Sequence, residues 1–137
     1  MVARRLVGFV TVESAGDEWE VRGEEETARQ VTVQAVLRNE QARAALLLPG
    51  LPWGCACFIH LWLTARALRS GLVQVEGKAI LYRRNGPAMG EPEDEQAIAF
   101  SVPQGRTAAE HRVRLCTPAD RQNQAEIGMS FFNIPAH

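Results

Sequence analysis

The chain has 137 residues, and its three cysteines and three histidines are the side chains best suited to metal or nucleophile chemistry. Cys55-Ala56-Cys57 followed by His60 brings soft ligands close together, and Cys116, His111 or a carboxylate is available to complete a tetrahedral zinc site. The spacing argues against that site. On an extended strand Cys55 and Cys57 face one side and His60 the other, whereas a structural zinc knuckle curls two sulfurs around one ion from a C-x2-C spacing. Parity also separates Cys57 from His60 and Cys116 from His111, so neither pair supplies a thiolate with its base. Three cysteines cannot all pair within one chain, and buried, reduced thiols are expected. His137, at the terminus, is expected in solvent. Glu91, Glu93, Asp94 and Glu95 lack the ligand spacing and central glycine of a calcium loop. The sequence carries no glycine-rich phosphate loop and no serine nucleophile elbow. No catalytic residue, metal or cofactor is expected.

A second group of residues suggests binding rather than catalysis. Phe58, His60, Trp62 and Arg66 share parity on one segment, and Lys78, Tyr82 and Arg84 share it on the next. If the two segments pair, rings and cations form one flat patch. Such rings beside Arg or Lys hold single-stranded nucleic acid by stacking, at about 1–3 kcal/mol per base. The alternative is that Phe58 and Trp62 form the second side of a two-sided core, closed by a helix or by the C-terminal strands.

The elements that position these residues read mainly as strands. Leu6 to Val12 alternates, with Gly8 marking a bulge or close backbone approach. Trp19 and Val21 share a face of a short return strand, and Gly23 to Glu26 reads as a polar connection. Val31, Val33, Ala35 and Leu37 alternate against Thr32, Gln34 and Arg38. Asn39 to Leu48 is rich in helix formers and predicts a short helix ended by Pro49-Gly50. Two further strand runs meet at Ser70-Gly71. Gly86 to Gln96, with two prolines and four carboxylates, reads as an exposed, mobile loop. Ala97 to Val102, His111 to Leu115 and Ile127 to Phe131 complete the strands, with Pro118 to Gln124 as a polar connection. Short strands separated by turn signals predict one all-β domain, a small closed or partly open barrel or else a sandwich.

Composition sets the outer limits. With 46% hydrophobic and 23% charged residues the chain is expected to fold, and a net charge of −1 gives no bulk preference for a polyanion. The stretch from Ala44 to Leu63 is broken by Pro49, Gly50, Pro52 and Gly54, which makes it a poor membrane span. With no secretory signal pattern at the N-terminus, a cytoplasmic location and no membrane partner are expected.

Several segments are similar to those of a known family. Leu6-Val7-Gly8-Phe9-Val10-Thr11 resembles the first strand of bacterial single-stranded-DNA-binding proteins of the oligonucleotide-binding fold, and Val31 to Arg38 sits where their second core strand falls. Phe58-Ile59-His60-Leu61-Trp62 is similar to their third strand, which carries a stacking tryptophan. Gly71 to Lys78 resembles their G-x-x-V-x-V-E-G strand. The resemblance covers residues 4 to 103 and implies a five-stranded barrel without enzymatic activity, binding DNA through its middle strands. It implies Trp62 as the stacking residue, with Tyr82, Arg66 and Arg84 as contacts. Related primosomal proteins of this fold also shorten the region between the third and fourth strands, as this chain does between Thr64 and Ser70. Residues 105 to 137 have no counterpart in a minimal barrel and are expected to add C-terminal strands.

The leading functional expectation is therefore a non-enzymatic protein that binds single-stranded nucleic acid through Phe58, Trp62, Arg66, Lys78, Tyr82 and Arg84. The alternative is a phage-like or shell-like assembly subunit. It rests on Ile127 to Ile134, where adjacent Phe131 and Phe132 put bulky groups on both faces of the last strand and favour a homo-oligomer. A third expectation is a barrel carrier or enzyme lined by Trp19, His60, Trp62 and Tyr82.

Overall fold

The computed structural model describes residues 2–14, 29–53, 57–85, 88–117 and 120–136. Among them are nine strands and no helix: β1 (Arg4–Ser14), β2 (Arg29–Leu37), β3 (Arg43–Leu46), β4 (Leu51–Trp53), β5 (Cys57–Ala67), β6 (Val73–Asn85), β7 (Ala88–Val102), β8 (Ala109–Thr117) and β9 (Asp120–Pro135). Sheet A has the order β2-β1-β9-β8. Sheet B has the order β3-β5-β6-β7, with β4 also paired to β5. Every ladder between these strands is antiparallel.

Alternation along the strands builds one core between the two sheets. Leu6, Val10 and Val12 of β1 and Ile127, Met129 and Phe131 of β9 point inward from sheet A. Ile59, Leu61 and Leu63 of β5 and Val73, Val75 and Leu81 of β6 meet them from sheet B. Gly8 of β1 lies directly opposite Phe131. A Cβ there would stand 2.5 Å from the Phe131 Cζ, so the ring fills the space a side chain would take.

The all-β reading holds, whereas the barrel does not close. The chain passes between sheets from β2 to β3 and from β7 to β8, and among the described residues no ladder joins the sheets at either corner. At the first corner β3 and β4 form an interrupted edge. Pro49 and Pro52 lack N–H donors, so this edge offers β2 no continuous row of groups to pair with. At the second corner side chains make the contact: Asp94 Oδ2 accepts from the Cys116 N–H at 3.0 Å, and Phe100 stacks on His111 at 5.1 Å.

Three local readings are corrected. Asn39 to Leu48 forms a turn and strand β3 instead of a helix. Helix propensity amounts to tenths of a kcal/mol per residue, and the ladder of β3 to β5 outweighs it. Gln41 takes φ 64°, its N–H donates to the Ala67 carbonyl at 2.9 Å, and the Ala67 N–H donates back to the Ala42 carbonyl at 3.0 Å. The expected loop from Gly86 to Gln96 is largely strand β7. Glu93 and Glu95 face Arg83 and Lys78 across the ladder, and Pro92 falls at a register shift opposite Tyr82 on an edge strand, where a missing N–H is tolerated. Likewise β9 already begins at Asp120, inside the expected polar connection. Trp19, Val21 and the acidic run Glu24 to Glu26 lie outside the described residues.

β9 lies centrally in sheet A, between β1 and β8. Its adjacent phenylalanines separate as the parity rule requires: Phe131 is buried, while Phe132 lies on the outer face, edge-on to Phe9 at 6.3 Å.

Candidate functional site

The hairpin from β5 to β6 brings the expected patch together. Gly71, at φ 81°, makes the tight turn: its N–H donates to the Leu68 carbonyl at 3.0 Å, and the Leu68 N–H donates to the Leu72 carbonyl at 2.8 Å. The resulting register sets Phe58 opposite Tyr82, Trp62 opposite Lys78 and Arg66 opposite Gln74. Phe58, His60, Trp62, Arg66, Lys78 and Tyr82 therefore share the outer face of sheet B. Arg84 belongs to β6, but its side chain lies outside the described positions.

This face has two parts with different character. At one end Phe58 stacks on Tyr82 at 5.7 Å, and both rings meet His60, at 5.4 and 5.9 Å. Ile80 is buried on this same face, and the chain at Gly50 crosses it so closely that a Cβ there would stand 3.0 Å from His60 Nε2. These rings pack mainly on one another. Trp62 departs from the two-sided-core alternative, because it is 56% exposed, with His60 as a ring neighbour at 5.8 Å. Beside it a hollow of about 530 Å³ opens between Trp62, Lys78 and the β3–β4 connection, where Leu47 is 88% exposed. The lining of the carrier expectation is corrected as well, since His60, Trp62 and Tyr82 stand on the outside of a sheet and not in its interior.

The cations on this face are partly matched. Lys78 Nζ lies 3.2 Å from Glu95, while Arg83, whose parity puts it on the other side of β6 opposite Cys57, has its Nε 2.9 Å from Glu93. The Lys78 pair is exposed enough to contribute only about 0–1 kcal/mol, so Lys78 can exchange its carboxylate for another anion at little cost. Arg66 Nη2 donates to the Gln74 side-chain oxygen at 2.9 Å.

Cys57 has inward parity and lies half-buried, on the opposite side of β5 from His60, while Cys55 lies outside the described residues. Burial raises the Cys57 thiol above its ordinary range. Arg83 draws it down and Glu93 pushes it up. A protonated thiol is a poor nucleophile. We expect iodoacetamide to label Cys57 more slowly in the folded protein than in the urea-unfolded chain near neutral pH, as read by peptide mass mapping. Labelling at equal rates would show an exposed, ordinary thiol.

Sequence reading missed Arg43, Leu47 and Glu95 at this face, the first two because a helix was expected and the third because a loop was. The alternation of Ala42, Ala44 and Leu46 against Arg43, Ala45 and Leu47 was the available signal. The chain matches no family model, no curated protein and no solved structure.

Proposed function

We propose that this protein is a non-enzymatic binding module that holds single-stranded nucleic acid on the outer face of sheet B, with Trp62 as its stacking platform. The observation that carries the reading is the Trp62 ring, more than half exposed on a rigid strand and backed by the Lys78 cross-strand pair. An exposed indole on a strand offers a flat π-face that any base can cover, with little ordering cost because the strand is already fixed. Lys78 stands opposite, held only by a weak surface pair that a phosphate can replace. The segment likeness of residues 58–62 and 71–78 to single-stranded-DNA-binding proteins supports the same face.

The test is a fluorescence titration with a labelled single-stranded oligonucleotide at low and moderate salt, run beside size exclusion. Saturable binding that weakens with salt is expected. Trp62→Ala should lower the affinity about 5- to 150-fold, from the loss of roughly 1–3 kcal/mol of stacking, while leaving thermal unfolding unchanged. Absence of binding at low salt would sink the proposal.

A second reading, assembly, draws on one observation. The outer face of sheet A carries Phe9 against Phe132 and the 41% exposed Val36. A large species in size exclusion whose size ignores added oligonucleotide would favour that role.

A further inference from the structure

We infer that Arg43 and Arg66 form a clamp for one phosphodiester group, set along β5 from the Trp62 platform. The inference takes its phosphate source from the nucleic-acid reading above. The clamp itself rests on separate geometry. Arg43 of β3 and Arg66 of β5 are direct cross-strand partners on the outer face, and side chains so placed stand about 4.5–5.5 Å apart at their Cβ atoms. Like charges set directly opposite one another repel.

Several other surface cations are paired with carboxylates: Lys78 with Glu95, Arg83 with Glu93, Arg69 with Glu40, and both Arg112 and Arg114 with Glu126. Among the described residues no carboxylate pairs with Arg43 or Arg66, and the Arg66 guanidinium is instead steadied by Gln74. The two arginines line a hollow of about 350 Å³ together with Thr64, Gln74, Glu76 and Gly77. Two guanidinium forks and a threonine hydroxyl supply donors suited to the oxygens of a tetrahedral anion.

Glu76 decides which anion. Its carboxylate lowers the charge of the hollow from two positive to one, which matches a diester carrying a single negative charge. A free phosphate or terminal monoester, carrying close to two at neutral pH, meets repulsion from Glu76. Placement supports the diester too. This hollow shares Thr64 and Gly77 with the one beside Trp62. Trp62 and Arg66 are four residues apart on one strand, about 13 Å. One nucleic-acid strand lying along β5 can therefore stack a base on Trp62 and place a backbone phosphate between the arginines.

The experiment uses the full chain and the variants Arg43→Gln, Arg66→Gln and both together, titrated with a single-stranded oligonucleotide across a salt series. Loss of one phosphate contact should reduce the slope of log affinity against log salt by about 0.7–1 in the double variant. The same reduction should appear with an abasic oligonucleotide, which keeps phosphates and removes bases. Arg43→Gln alone should leave the melting temperature unchanged or raise it, since it relieves repulsion. If the wild type binds and the double variant keeps both slope and affinity, the clamp is overturned while the Trp62 reading stands. If the wild type binds no oligonucleotide, dimethyl phosphate, a singly charged diester, decides by thermal shift: stabilisation that needs Arg43 would retain a diester clamp with a different source, and none would remove it.

Discussion

Asn133→Ala is expected to lower the unfolding free energy by about 3–5 kcal/mol in urea denaturation, a large share of the roughly 5–15 kcal/mol that holds a domain of this size. Asn133 of β9 is fully buried, and both the oxygen and the nitrogen of its amide group are partnered. Its Oδ1 accepts from Arg4 Nε at 2.7 Å, and its Nδ2 donates to the carbonyls of Gly71 at 2.8 Å and Val102 at 2.9 Å. Its main-chain carbonyl accepts from Arg4 Nη2 at 2.9 Å and from the Gly105 N–H at 3.2 Å.

Gly71 lies in the β5–β6 turn, Val102 ends β7 of sheet B and Asn133 belongs to sheet A, so one side chain fastens the two sheets at the end where that turn lies. Alanine would remove the Asn133 bonds from two carbonyls and from the Arg4 Nε in a site where Arg4 is only 4% exposed. Each orphaned buried group costs about 1–3 kcal/mol, and more when charged. Combining Asn133→Ala with Arg4→Met should cost less than the two single changes added, because the stranded guanidinium is then gone. A loss below about 1 kcal/mol for Asn133→Ala would mean that water satisfies these groups and that the sheets are held by apolar packing alone.

None of this could be read locally from Asn133, which stands in the apolar run Phe131-Phe132-Asn133-Ile134. Its meaning depends on Gly71, Val102 and Arg4, which lie 62, 31 and 129 residues away. The residues that were legible are those whose role is set by parity. Period two placed Leu6, Val10 and Val12 inside and assembled Phe58, Trp62, Lys78 and Tyr82 on one outer face, because a strand's alternation needs no knowledge of its partner. Parity failed where a strand's reason for existing is its neighbour. β3 carries a helix former's composition and is held by β5, and β7 carries loop chemistry and is held by its ladder to β6, across which Glu93 and Glu95 also meet Arg83 and Lys78. Arg43 vanished from view along with β3. Closure was equally hidden, since a barrel and an open pair of sheets share the same alternating strands and differ only at the corners.

Gly77→Ala should be the most disruptive single-methyl addition in sheet B, costing about 3 kcal/mol or more, because its added atom meets backbone. Gly77 pairs with Leu63 in the middle of the β5–β6 ladder, and a Cβ there would collide with the Trp62 carbonyl oxygen. A side chain can rotate away from such a contact. A carbonyl within a ladder moves only if the strand moves, and the hydrogen bonds of the hairpin move with it.

Gly128→Ala provides the contrast: it is also a strand glycine, but its Cβ would approach only the Thr11 hydroxyl, at 3.0 Å. That hydroxyl can turn, so the change should stay within about 0.5 kcal/mol of the parent. The Gly77 change should also alter Trp62 fluorescence and weaken oligonucleotide binding, since Gly77 lines both the Trp62 hollow and the arginine hollow. Equal stability of the two variants would contradict the close backbone approach at Trp62. Loss of stability in Gly77→Ala with Trp62 emission unchanged would separate the hairpin's packing from the platform it carries.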